Sequence, residues 1–228
     1  MIWLVPIIIS IFVLQNHFSA TFLICIVTCV QMFVAGVKLR YFIGAGVVGM
    51  AGGLSLLLLK NQGTTGDGFR STRIQTWFDP FSNPTGDGWQ IINSLYAIGS
   101  GGMFGAGLGQ GKQKYLYLPE PHNDFIFAIL AEELGFFGCI VIISLFVLFI
   151  WRGIIIALRA PDTYGSLIAI GIICLIGLQA MMNIAVVTGT IPVTGVPLPF
   201  FSYGGTAMIA NLIAVGILLN ISKSCEKK

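Results

Sequence analysis

Of the 228 residues only 9% are charged and 56% are apolar, so the chain could not clothe the surface of a water-soluble fold, in which about a quarter of residues carry charge. The net charge of +3 is small, and no basic run is interleaved with aromatics, which argues against a nucleic-acid partner. These properties predict an all-α integral membrane protein, a polytopic helix bundle.

Met1 to Leu14 is apolar, but at about 1.5 Å per residue it reaches only about two thirds of a hydrocarbon core of about 30 Å. There is no basic segment before Ile2 and no small-x-small cleavage site, so it reads as the remainder of a longer span rather than a signal peptide, and the chain is expected to lack its natural beginning. Ala20 to Gly36 make a second span, and Tyr41 to Leu59 a third whose glycines would let helices approach closely. A polar loop follows over residues 60–124. Its first part, to Gly88, is dense in turn-forming residues; Trp89 to Ile98 reads as a short amphipathic helix; Gly99 to Gly111 is glycine-rich and suited to lying in the interface or re-entering the protein. The fourth span is predicted over Phe125 to Trp151 as a continuous apolar helix, the fifth from about Tyr164 to Val187, and the last from about Gly205 to Ile221. Between the last two, residues 188–204 contain Pro192, Pro197 and Pro199, which cannot continue a helix. Cys25, Cys29, Cys139 and Cys174 lie in apolar stretches and Cys225 in the tail; with no His or carboxylate nearby in sequence they read as small hydrophobes, not metal ligands.

Lys38, Arg40, Arg152, Arg159, Lys223, Lys227 and Lys228 all fall on one side of this alternation, mostly in short loops, which makes that side and the C-terminus cytoplasmic. The loops 60–124 and 188–204 then share the extracytoplasmic face and can build one site. Asp124 stands on the seam between polar loop and apolar helix. A carboxylate pointing inward from the mouth of a membrane helix loses solvation and takes a proton more readily, which suits a general base; the alternative is that Asp124 caps a helix starting at Phe125, and capping does not exclude chemistry. Hydroxyls at Thr188, Thr190, Thr194, Ser202 and Tyr203 suit a sugar-bearing anionic substrate, and Gly204, Gly205 and Thr206 open the last span, where free amides could receive a phosphate or merely allow a tight turn. Lys114 is the cation best placed to neutralise a pyrophosphate, ahead of Arg70, Arg73 and Lys112. His122 could shuttle a proton. Glu132 and Glu133 lie within the helical pattern, where burying both is costly, so at least one is expected to face a polar cavity or a basic partner. Asp79 and Asp87, beside proline or glycine, read as turn residues. Gln31, Gln179, Asn183 and Asn211, the main polar groups within spans, read as helix–helix hydrogen-bonding residues.

The strings GDGWQIINSLYAIGSGGMFGAGLGQGKQKYLYLPEPHNDFIFAILAEELG, RGIIIALRAPDTYGS and NIAVVTGTIPVTGVPLPFFSYGGT resemble the SEDS family (shape, elongation, division and sporulation), in particular its division and sporulation members. The similarity covers essentially the whole chain. It implies a ten-span bundle, of which residues 1–228 supply the C-terminal part with about six spans, in the bacterial cytoplasmic membrane. It also implies a peptidoglycan glycosyltransferase that polymerises lipid II into β-1,4 glycan strands, releasing undecaprenyl pyrophosphate on the extracytoplasmic face. The essential acid of the family's PE-x-H-x-DF motif falls on Asp124; Glu120 and His122 of that motif, Lys114 of the preceding QK, and Ser202, Tyr203, Gly204 and Gly205 of the second motif are the expected substrate contacts. The stretch QNHFSAT departs from the family's usual QPDLGT, placing His17 or its neighbours where an acid is common. The implied partners are lipid II, a class B penicillin-binding protein acting as transpeptidase, and other divisome or spore-cortex membrane proteins. No cofactor motif is evident, and a divalent cation on the pyrophosphate fits the chemistry. Two rival readings, a lipid-linked precursor flippase and a non-catalytic truncated scaffold, differ from the first in predicting no glycan product.

Overall fold

A computed structural model describes residues 18–38, 76–82, 84, 88–111 and 124–225. The spans predicted at Met1–Leu14 and Tyr41–Leu59 lie outside the described residues. The chain forms α1 (Phe18–Val34), a single 3-10 turn (Pro80–Ser82), α2 (Trp89–Gly101), α3 (Ile126–Arg159), α4 (Thr163–Val187) and α5 (Gly205–Cys225). Of these, α3, α4 and α5 are long and apolar enough to cross a membrane, and α1 is a shorter apolar helix. The protein is therefore an all-α, multi-pass membrane protein.

Local chemistry sets the ends of these helices. Beyond α1 the chain turns through Gly36 at φ +79°, with Gly36 N donating to Phe33 O at 3.1 Å and Val37 N to Met32 O at 3.1 Å, the paired bonds of a glycine C-cap. At the start of α4 the Asp162 carboxylate accepts from Gly165 N at 2.8 Å. The helices alternate in direction, as hydrogen bonds at both ends record. Ser19, opening α1, donates to Thr194 O beyond the end of α4 at 2.8 Å, while Gln31, near the close of α1, donates to Leu167 O near the start of α4 at 3.2 Å. At that second end the Cys225 thiol of α5 meets Ile156 O of α3 at 3.7 Å.

The core follows from this arrangement. Its main cluster joins Ala97 of α2, Phe127, Ile142 and Phe146 of α3, Ile176, Ala180 and Val187 of α4 and Leu198 of the following loop, and a second joins Ala157, Ala169, Ile173 and Leu218 at the opposite end. Close approach matters here: a Cβ at Gly153 of α3 would lie 2.8 Å from Ile173 Cδ1 of α4. The amphipathic pattern read over Trp89–Ile98 is the helix α2, three residues longer than expected, with Ile91, Ile92, Ser94 and Ala97 buried and Leu95 and Tyr96 exposed. It is tied down by Ser94 Oγ donating to Val187 O at 2.6 Å, and beside it Trp77 Nε1 donates to Gly189 O at 2.8 Å. Ser94 is fully buried, so Ser94→Ala strands a carbonyl away from water; a loss of about 1–3 kcal/mol is expected, read as a lower thermal unfolding temperature in detergent.

The predicted continuous fourth span is instead broken. Gly135 sits inside α3 at φ +67° and ψ −168°, a conformation that glycine alone adopts readily. In an unbroken helix Phe136 N would bond Glu132 O, and Phe137 N would bond Glu133 O. The glycine-rich segment takes over all four groups: Phe136 N donates to Gly102 O at 2.9 Å, Phe137 N to Met103 O at 3.3 Å, Ala106 N to Glu132 O at 2.9 Å and Gly107 N to Glu133 O at 3.1 Å. Hence the segment expected to lie in the interface or re-enter the protein is a turn-rich splice that satisfies the backbone of an interrupted helix. From Phe136 to Arg159 the helix is about 36 Å long, enough to span by itself, which leaves 126–134 as a separate short piece.

Candidate functional site

Four chain segments meet at the end of the bundle where α3 and α5 begin and α4 ends. Asp124 lies two residues before α3. The helix starts at Ile126 with Phe125 in the cap position and no side-chain cap bond there, so the cap falls one residue later than the sequence suggested. Phe125 is 1% exposed and plugs into the main core, and this anchors the backbone of its neighbour. Asp124 itself is half-buried.

Asn183, 1% exposed in the last turns of α4, supplies the link across the site. Its Nδ2 donates both hydrogens, to Asp124 O at 2.7 Å and to Val196 O at 2.8 Å. Because both partners are carbonyls, Nδ2 must be the nitrogen, and Oδ1 faces the other way, buried and without a hydrogen-bond partner among the described residues. Thr194 Oγ1 is a second buried atom in that condition. Gly195, at φ +69°, passes so close to the carboxylate that a Cβ there would lie 3.3 Å from Asp124 Oδ2. The carboxylate thus leans on the loop after α4.

That loop holds its own shape. Thr188 folds its hydroxyl back onto Ile184 O at 2.8 Å and meets Thr190 Oγ1 at 3.0 Å. Further along, Leu198 N donates to Ser202 Oγ at 2.7 Å while Ser202 N returns a bond to Leu198 O at 3.0 Å. Phe200 carries a positive φ of +68°, unusual for a side-chain-bearing residue, and its ring packs at 6.2 Å from that of Phe149. Of the expected contacts in the second motif, Ser202 is buried at the centre of this turn, Tyr203 is 84% exposed, and Gly204 and Gly205 lead into α5. A cavity of about 130 Å³ lies beneath, between Gln179 of α4 and Asn211 of α5, against Pro197, Pro199 and Ser202.

Lys114, Glu120 and His122, with Arg70, Arg73, Lys112, Asp87 and His17, lie outside the described residues. Asp79 accepts from Ser82 through its main-chain carbonyl, at 2.7 Å from the hydroxyl, as a turn residue does. The two helix acids behave differently from each other: Glu132 is 3% exposed, whereas Glu133 is half-buried and receives Gly109 N on Oε2 at 3.0 Å, so it binds the glycine-rich splice. Gly111 ends that splice between the two, where a Cβ would come 2.9 Å from Glu132 Oε2 and 3.1 Å from Glu133 Oε1. Among the described residues no three His, Cys, Asp or Glu side chains gather as a metal site. Sequence reasoning assigned Gln31 to a helix–helix bond, which it makes; it gave Asn183 the same role and missed that Asn183 joins two loops. The available signal was an amide in an apolar span, five residues before the proline-rich loop, with Gln179 one turn earlier on the same helix.

The family model for the FtsW, RodA and SpoVE cell cycle proteins matches residues 1–227. Stage V sporulation protein E of Bacillus subtilis (strain 168) is 53% identical over 197 residues, 86% of this chain and 52% of that protein. A protein of Geobacter sp. (strain M18) named a probable peptidoglycan glycosyltransferase FtsW is 45% identical over 214 residues, 94% of this chain and 56% of its own. In three dimensions the fold matches a chain of a solved peptidoglycan synthase complex that coordinates polymerization and crosslinking, with a TM-score of 0.73 at 24% identity, covering 99% of this chain and 61% of the other. The chain spans about half the length of the curated relatives it matches.

Proposed function

The chain belongs to the FtsW, RodA and SpoVE family of cell cycle proteins, and from that premise we propose that it polymerises lipid II as an inverting membrane glycosyltransferase, with Asp124 as general base. The observation that carries the proposal is the convergence of two distant loops at one carboxylate: Asp124 stands two residues before α3, a Cβ on Gly195 of the loop after α4 would lie 3.3 Å from its Oδ2, and Asn183 ties the two segments through their main-chain carbonyls. A half-buried carboxylate held by its backbone against a second loop has a fixed position from which to accept a proton.

In this reaction the 4-hydroxyl of the acceptor GlcNAc attacks the anomeric carbon of the donor MurNAc. The new C1–O4 bond forms as the C1–O bond to pyrophosphate breaks, and the leaving group departs with the bonding electrons. The hydroxyl proton passes to the Asp124 carboxylate. Pyrophosphate is a good leaving group that needs charge neutralisation more than protonation, so one base suffices, unlike the paired carboxyls of a glycosidase. Lys114 is assigned to the pyrophosphate, with the first turn of α5 at Gly204 and Gly205 as a second anion contact, and Glu120, His122, Ser202 and Tyr203 to the rest of the substrate. A divalent cation on the pyrophosphate would assist the same neutralisation. The site opens to the extracytoplasmic face and the C-terminus is cytoplasmic, as the distribution of Arg152, Arg159 and Lys223 favours. The proposed partner is a class B penicillin-binding protein that cross-links the strand, in division or spore-wall synthesis; support comes from the fold's likeness to a chain of a peptidoglycan synthase complex.

The test is glycan formation from purified lipid II by the chain co-purified with its transpeptidase, resolved by gel, for wild type and Asp124→Ala. Product from wild type and its near absence from the variant is the expected result. Equal product from both would remove Asp124 from the chemistry, and none from either would overturn the polymerase reading in favour of the two that make no glycan, a flippase or a scaffold. A milder effect is expected at Gly195→Ala, where the new methyl meets the carboxylate from a backbone already in the left-handed region: turnover should fall by about tenfold or more while the protein stays folded.

A further inference from the structure

Resting on the proposed lipid II polymerase reading, we infer that Asn183 is a positioning residue for Asp124, a single amide that sets where the base stands relative to the loop after α4. The argument begins with its cost. An asparagine 1% exposed in an apolar membrane helix leaves its Oδ1 without a hydrogen-bond partner among the described residues, an arrangement that opposes folding. Ordinary helix packing would be served better by an aliphatic side chain of similar volume. What an aliphatic side chain could not supply is the fork of two donors.

That fork reaches two main-chain carbonyls from segments far apart in sequence, Asp124 O at 2.7 Å and Val196 O at 2.8 Å. Each carbonyl belongs to the segment that carries one half of the carboxylate's immediate surroundings: Asp124 bears the carboxyl, and Gly195, next to Val196, is the backbone against which Oδ2 rests. The amide therefore fixes the separation of the two halves through a rigid planar group. It is itself fixed from below, since its helix neighbours Met182, Val186 and Val187 are all buried. Asn183 touches neither the carboxylate nor any substrate through these bonds, so its effect on the reaction runs entirely through Asp124.

A displacement of about 1 Å in a reacting group costs on the order of a hundredfold in rate, and loss of the fork would allow that much movement. The experiment measures kcat and KM for lipid II with the chain co-purified with its transpeptidase, for Asn183→Ala, the isosteric Asn183→Asp, Asp124→Ala and the double variant Asn183→Ala with Asp124→Ala. The expected result is a kcat lowered by about ten- to a hundredfold in both Asn183 variants with KM unchanged, and no further loss when Asn183→Ala is added to Asp124→Ala. Asn183→Asp keeps the shape but, charged or protonated, has at most one hydrogen to donate and cannot form the fork, and it serves if the alanine variant does not fold. Wild-type kcat in a folded Asn183→Asp protein would overturn the inference while leaving the base assignment intact. So would an equal proportional loss on the Asp124→Ala background, which would mean a general structural role. Undiminished turnover in Asp124→Ala alone would instead overturn the polymerase chemistry on which the inference rests.

Discussion

Asp124→Ala is expected to slow glycan polymerisation by about 10² to 10⁴-fold, the usual contribution of a positioned general base, with the protein still folded. Folding should survive because Asn183 grips Asp124 through its main-chain carbonyl, which alanine retains. Phe125, the next residue, keeps its place in the core whatever stands at 124. Asp124→Asn makes the more exacting comparison, since it preserves volume and removes only the ability to hold the proton. Its turnover should match that of the alanine variant. If Asp124→Asn retained most of the activity, the carboxylate would be a binding group rather than a base, and lipid II affinity would then be the quantity to fall. Initial rates of lipid II consumption at saturating substrate distinguish the two outcomes.

The largest effect on stability is expected at Gly135→Ala. Two costs combine there. The backbone stands at φ +67°, where a side chain is strained by about 1–3 kcal/mol. A Cβ would also run into main-chain atoms of the splice, Gly105 N among them, and would stand 2.7 Å from Phe104 C and 2.8 Å from Met103 C. Backbone held by four hydrogen bonds cannot step aside as a flexible side chain could, so overpacking adds a further cost of about 1–3 kcal/mol. The chain could escape by closing α3 into a continuous helix, but that would strand the carbonyls of Gly102 and Met103 and the amides of Ala106 and Gly107, which α3 now satisfies. Either way the unfolding temperature should drop by many degrees, and the splice should lose protection in amide hydrogen exchange. Gly99→Ala is the control. Gly99 is exposed in α2 with nothing near its missing Cβ, so alanine should stabilise the helix by about 0.5–1 kcal/mol. A Gly135→Ala protein as stable as wild type, with exchange in the splice unchanged, would show that the break in α3 is not the form the folded protein takes.

Much of this organisation could be read from residue order. The fifth and last spans fall within a few residues of α4 and α5, and the amphipathic pattern at Trp89 marks the start of α2. The same reading placed Asp124 at the mouth of a helix and required the loops 60–124 and 188–204 to share a face, as the Asn183 bonds now join them. It failed where the outcome depended on which distant backbone groups would be available. GFFG following LAEEL reads as helix because its side chains are apolar; nothing in that string announces that Gly102, Met103, Ala106 and Gly107 will take the hydrogen bonds of Glu132, Glu133, Phe136 and Phe137.

The division has a physical origin. Partition into lipid depends on the summed apolarity of a contiguous run, a property of the sequence itself, so the sequence alone determined that this is a multi-pass helical protein and where its polar interruptions fall. Main-chain amides and carbonyls are the same at every residue and leave no mark in the sequence of the partner they choose. Only the tertiary structure could therefore decide that α3 breaks at Gly135, that a glycine-rich splice heals the break, and that one buried amide at Asn183 holds Asp124 against the loop after α4.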